Sequence, residues 1–104
     1  MTKVLIKGGR IVTAVDDYLG DILIQDGEIE AIGRNLSVDD AERHDASGLL
    51  VLPGGIDAHV HMETPMGNDI YTCDTFETGT VSAAFGGTTT IIDQVQAEPH
   101  LTLE

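Results

Sequence analysis

Cys73 is the only cysteine in the 104-residue chain. That excludes an internal disulfide and suits a reducing compartment such as the cytoplasm. Basic residues are also scarce, with 5 Lys and Arg against 18 Asp and Glu and a formal charge of −13. A surface this acidic repels phosphate backbones and anionic lipid, so neither nucleic acid nor membrane is an expected partner. Long apolar runs are missing as well. Nothing approaches the roughly 20 residues of a membrane span, and Val4, Leu5 and Ile6 are too few for a signal peptide. There is no internal repeat and no low-complexity stretch. The chain is 41% hydrophobic, without an excess of Gly or Pro. This is a globular composition, with enough residues for one modest core or for part of a larger protein.

Residues 3 to 52 read as short strands joined by tight turns. "KVLIK" passes through Gly8-Gly9 into "RIVTA", which has the form of a two-glycine hairpin. "DILIQ" meets "EIEAIG" across Asp26-Gly27, a dipeptide that accepts the positive φ angles of a type I′ turn. "SVDDAER" is a polar loop, and "RHDASG" and "LLVLPG" provide two further short strands. The expectation for this half is a small, mostly antiparallel β unit.

At Pro53 the pattern changes. "GIDAHVH" is β-competent and leads into a long loop, "METPMGNDIYTC". "DTFETGTVSAAFGG" then carries a helix's punctuation. Asp74 is the expected N-cap, Glu77 its capping-box partner, and Gly86-Gly87 the C-terminal stop. "TTTIID" has the β-branched richness of a buried strand. Strand, helix and strand make a βαβ unit, the element of a parallel sheet or barrel. Phe76, Ala83, Ala84 and Phe85 are expected to face the strands, and Gly79 to permit close approach to one of them.

His59 and His61 stand two apart on the first of these strands, so their side chains share a face, with Asp57 on the same side. Two neutral imidazoles side by side can reach one divalent ion, and zinc, manganese or iron suits such ligands. The alternative is a pair of core histidines flanking Val60. Position favours the ligand role, because the pair ends a strand and opens into a long loop. Asp57 could accept from a histidine ring and so fix which nitrogen meets the metal, but bonding to nearby backbone is the preferred expectation. Glu63 is not expected to be a ligand; Asp93 either faces the same mouth or has a capping or solvated role; Cys73 lacks a nearby His, and His44 and His100 read as exposed loop histidines.

"LIKGGRIV", "DILIQDGEIEAIG", "LLVLPGGIDAHVH" and "TFETGTVSAAFGGTTTIID", in this order, resemble the amino-terminal part of cyclic amidohydrolases, most nearly the D-hydantoinase and dihydropyrimidinase family. The resemblance runs from Val4 to about Asp93. It implies a mixed β and α/β fold, with residues 1–52 as the N-terminal strands of a small β-sandwich. Residues 53–104 would begin a metal-dependent (β/α)8 barrel that is incomplete in this chain. It also implies that His59 and His61 ligate one ion of a two-metal centre, usually Zn2+, with Mn2+ or Fe2+ as alternatives.

The implied reaction is hydrolysis of a non-peptide carbon–nitrogen bond in a small cyclic amide. Hydantoin or a dihydropyrimidine ring would open to an N-carbamoyl amino acid, in an enzyme that is a homo-oligomer. Met62-Glu63 follows the pair where dihydroorotases tend to carry Leu-Arg and allantoinases Phe-Asn, which favours a ring without a carboxylate. The family's complete site also needs a carboxylated lysine, two further histidines and a proton-handling aspartate. After His61 the chain has only His100 and no lysine. No catalytic residue is therefore assigned within it, and the chain is expected to be a fragment without activity of its own. The competing reading is a non-catalytic interaction module of the same family, or a segment of another cyclic amidohydrolase such as an allantoinase or dihydroorotase.

Overall fold

The computed structural model describes residues 2–94. The chain divides into two compact units, Met1–Pro53 and Gly54–Glu104. His100, expected to be an exposed loop residue, lies outside the described residues.

The first unit is a five-stranded sheet. Strands β1 (Lys3–Val12), β2 (Asp17–Gln25) and β3 (Glu28–Gly33) form an antiparallel meander. The β2–β3 turn is the one expected, since Asp26 and Gly27 have φ of 51° and 88°. Asp tolerates that region and Gly meets no Cβ clash in it.

The Gly8-Gly9 hairpin does not form. β1 runs straight through both glycines, with a register slip between Ile6 and Gly9. Gly8 adopts φ 69° and its N–H donates to Asp21 Oδ1 at 2.8 Å, so the chain bulges instead of reversing. Reversal comes at Thr13–Asp16. There Thr13 N–H donates to the Asp16 carbonyl at 2.8 Å, and Thr13 Oγ1 accepts from the Val15 and Asp16 amides.

The sheet is also less antiparallel than expected. β4 (Glu42–Asp45) and β5 (Leu50–Val51) both pair with β1 in parallel. Leu5, Ile11, Ile22 and Ala46 are buried in this unit.

Asp21 is the polar anchor of the unit. Only 4% exposed, its carboxylate accepts from Lys7 Nζ at 2.7 Å, Gly8 N at 2.8 Å and Leu36 N at 2.9 Å. The Lys7 hydrogen bond, followed by the Gly8 amide, holds the Asp21 carboxyl below the usual carboxylate range.

The second unit is built on β6 (Gly55–Val60) and β9 (Thr88–Asp93), which pair in parallel, with α1 (Phe76–Phe85) between them in sequence. This is the expected strand–helix–strand order. The intervening loop is more structured than its sequence indicated. β7 (Pro65–Gly67) and β8 (Ile70–Tyr71) form a small hairpin, closed by Asn68 and Asp69 at φ 51° and 58°.

Thr75, not Asp74, caps α1. Its side chain accepts from Thr78 N, and Thr78 Oγ1 accepts in return from Thr75 N at 3.0 Å. Asp74 instead accepts from Thr78 Oγ1 with its side chain and from Glu63 N with its backbone carbonyl. At the other end Gly86 and Gly87 donate to Ser82 O and Ala84 O, as a helix terminus there requires.

Phe85 does not face the strands; it is 92% exposed. At 100° per residue it lies about 120° around the helix from Gly79, the buried residue of α1. Ala84 is exposed as well, Phe76 is 47% exposed, and Ala83 is half-buried. Gly79 does mark a close approach, but to a side chain rather than a strand. A Cβ there would come within 2.7 Å of Met62 Cε and 2.9 Å of Met62 Sδ. Met62 is the one buried hydrophobic residue described in this unit. Among the described residues no helix is long and apolar enough to cross a membrane.

Two outcomes follow from these arrangements. A carboxyl with a lowered folded pKa adds stability above its unfolded value near 4, and that stability is lost as pH falls through the folded value. Asp21→Ala, which leaves Lys7 and two amides without their acceptor, should lower stability at pH 7 by about 2 kcal/mol. The deficit should shrink below about pH 4; urea unfolding at pH 7 and pH 3 measures both effects. A deficit of equal size at the two pH values would mean that the carboxylate charge is not what stabilises the unit.

The second outcome concerns association. Ile56 (70% exposed), Phe85 and Val81 give the second unit apolar surface around a thin core. Apolar patches of this kind favour association, and the net charge opposes it less as salt rises. Sedimentation should show self-association that strengthens with salt. Amide exchange should be slower in the first unit than in the second, and a compact monomer with uniform protection would contradict both expectations.

Candidate metal site

β6 ends at Val60, and His59 and His61 meet at its C-terminal end. Their Nε2 atoms are 3.0 Å apart, with ring centroids at 5.0 Å and planes inclined by 65°. The shared face expected of residues two apart is therefore present. In the metal-free chain, one neutral ring can donate this contact and the other accept it.

The same spacing suits a shared ion. Two nitrogens at about 2.0–2.1 Å from one tetrahedral ion lie about 3.3 Å from each other. A few tenths of an ångström separate the two arrangements, which a small rotation about a side-chain bond supplies. Both rings are on exposed residues, so an ion reaches them without opening a core. Among the described residues, no group of three or more His, Cys, Asp or Glu is placed to hold a metal.

The backbone around the pair is tied at several points. Asp57 Oδ1 accepts from His59 N at 3.1 Å, so Asp57 bonds backbone, as its sequence position indicated. Gln94 N donates to Val60 O at 2.9 Å, and Met62 N donates to Asp93 Oδ1 at 2.9 Å. Thr64 is buried, with its Oγ1 donating to Met62 O and its N–H donating to Thr72 Oγ1.

Glu63 leaves the face of the pair because its backbone turns to φ 51°. Its carboxylate accepts from Phe76 N at 3.1 Å, which places a negative charge at the first turn of α1. An open cleft of about 310 Å³ is bordered by Asp57, His61, Met62, Asp74, Gly79 and Ser82, among others.

The remaining candidates stay apart from the pair. Cys73 is exposed, with Sγ 3.8 Å from Asp74 Oδ2. His44 is in β4 and contacts Glu42 at 3.1 Å. Sequence reasoning missed the positions of Asp93 and Glu63 as backbone acceptors. Asp93 at the end of "TTTIID" offered a signal, since the end of a parallel strand lies beside the end of its neighbour.

No protein-family model matches the chain. The D-hydantoinase of Geobacillus stearothermophilus is 61% identical over 93 residues, covering 89% of this chain and 19% of that protein. The dihydropyrimidinase of Rattus norvegicus is 46% identical over 97 residues, covering 88% of this chain and 18% of its own length. The crystal structure of dihydropyrimidinase from Brevibacillus agri superposes with a TM-score of 0.92 at 46% identity, over 98% of this chain and 22% of that one. The chain thus spans about a fifth of the length of the relatives it matches. Over about nine-tenths of its residues, it is a homologue of the D-hydantoinases and dihydropyrimidinases.

Proposed function

We propose that the chain supplies the first two metal ligands, His59 and His61, of a cyclic amide hydrolase. The observation that carries this reading is the 3.0 Å approach of the two Nε2 atoms at the end of a parallel strand. Homology to D-hydantoinases and dihydropyrimidinases supplies the reaction class, opening of a ring amide. Hydantoin or a dihydropyrimidine is the proposed substrate and an N-carbamoyl amino acid the product. On this reading β6, α1 and β9 belong to a (β/α)8 barrel, whose strand ends carry the chemistry. The five-stranded sheet belongs to the β-sandwich that accompanies it. The working form is a cytoplasmic homo-oligomer.

A divalent ion held here, of which zinc suits imidazole well, would supply the chemistry of water activation and carbonyl polarisation. His59 and His61 would hold such an ion, and the tied backbone on either side of them keeps both rings on one face. The steps that transfer the proton and complete the ligand set need further groups, and among the described residues none joins the pair. Catalysis by these residues alone is therefore not expected.

Zinc titration tests the metal assignment. The chain should bind zinc weakly, because two imidazoles fill half of a tetrahedral shell. The His59→Ala, His61→Ala double variant should lose at least about tenfold in affinity. Equal affinity in the two chains would place any binding elsewhere on the acidic surface. Neither chain should turn over dihydrouracil or hydantoin. Turnover that is present in the wild-type chain and absent from the double variant would overturn that expectation.

A further inference from the structure

His61 is held between two backbone attachments, made by Asp93 at the end of β9 and by Gln94 just after it. On its N-terminal side, the Val60 carbonyl belongs to the peptide that His61 completes, and it accepts from Gln94 N at 2.9 Å. On its C-terminal side, Met62 N donates to Asp93 Oδ1 at 2.9 Å. Val60 and Asp93 are also register partners at the point where the two strands end. The first attachment continues a parallel ladder and needs no particular residue. The second does. Beyond Val60 the chain has left the strand, and a side chain with an acceptor is required to reach its amide.

We propose that Asp93 is a positioning residue for the histidine pair. By accepting the Met62 amide, it fixes the backbone that follows His61 and so holds the His61 ring at the spacing a shared ion needs. Asp57 does the corresponding work at His59, where its Oδ1 accepts the residue's own amide. The two carboxylates thus act on backbone at opposite ends of His-Val-His. Asp93 is thirty-one residues away in sequence from the amide it holds, so it also links ligand geometry to completion of the βαβ unit. The contact is only part-buried, and Met62 beside it is anchored against Gly79 of α1. Loss of the acceptor would therefore free the His61 backbone locally without emptying a core.

This inference rests on the metal reading of the pair, and the test separates the two. Zinc affinity and exchange of the Met62 amide in the metal-free state are measured for four chains: wild type, Asp93→Asn, Asp93→Ala, and the His59→Ala, His61→Ala double variant. Asn keeps the Oδ1 acceptor without the charge. Asp93→Asn should therefore stay within about threefold of wild type in zinc affinity and keep the Met62 amide protected. Asp93→Ala should lose about tenfold in affinity, the scale on which outer partners of metal ligands act, and expose that amide to exchange. Its circular dichroism should match wild type.

If Asp93→Ala binds zinc like wild type while the double variant does not, the metal reading stands and the positioning role is wrong. Asp93→Asn behaving like Asp93→Ala would assign the effect to charge and also overturn the role. If the double variant binds like wild type, both readings fall together. Should Asp93→Ala not fold, the wild-type chain decides. A Met62 amide exchanging as fast as unstructured backbone rejects the clamp, and protection comparable to that of β9 sustains it.

Discussion

β6 and β9 run in the same direction, so the chain has to travel back past their full length between them. The geometry at the histidine pair depends on that requirement. Parallel pairing puts both C-terminal strand ends at one edge, and residues 61–63 leave one end beside Asp93 at the other. The returning segment is the β7–β8 hairpin followed by α1. Each is attached to residues just beyond the pair: Thr72 to Thr64, Asp74 to Glu63, and Phe76 to the Glu63 carboxylate. A strand end that would otherwise fray is thus held by hydrogen bonds from several parts of the unit. Little of this order comes from apolar burial, for Met62 is the only buried hydrophobic side chain described there.

The first unit uses a different economy. Four buried apolar residues make its core, and one carboxylate organises the polar groups that the bulge in β1 leaves unpaired. Gly8 has its amide turned out of the ladder, and a buried amide without a partner is costly. Asp21 accepts it, together with Lys7 Nζ and the Leu36 amide, so one side chain fixes a strand, a bulge and a loop.

What could be read from the sequence follows the range of the interactions. Asp26-Gly27 was legible as a turn because the two residues decide their own backbone angles. Gly8-Gly9 was not, since two glycines permit a reversal or a bulge, and Asp21, thirteen residues on, selects the bulge. Asp74 was the expected cap, with Glu77 three residues later as its partner. Thr75 caps instead, because it and Thr78 exchange side-chain and backbone hydrogen bonds across the first turn. Phe85 was misassigned because its apolarity was weighed and its angular position was not. The β7–β8 hairpin is too short for hydrophobic alternation to signal it. The histidine pair was fully visible, being a matter of two-residue spacing. Asp93 as its backbone partner was not, because that contact exists only when β6 and β9 are paired.

β1 meets its neighbours over very different lengths of chain. The Thr13–Asp16 reversal brings Val12 to Asp17, while Val4 pairs with Glu42 and Arg10 with Leu50, each about forty residues away. Closing a loop of that length costs more chain entropy than closing a turn, and the reward comes only when β1 is already in place. The meander can assemble from neighbours alone; β4 and β5 have to be added to it. The parallel edge therefore carries the larger loop-closure cost of the sheet, and β4 and β5 each have fewer register pairs to offset it than either pairing of the meander.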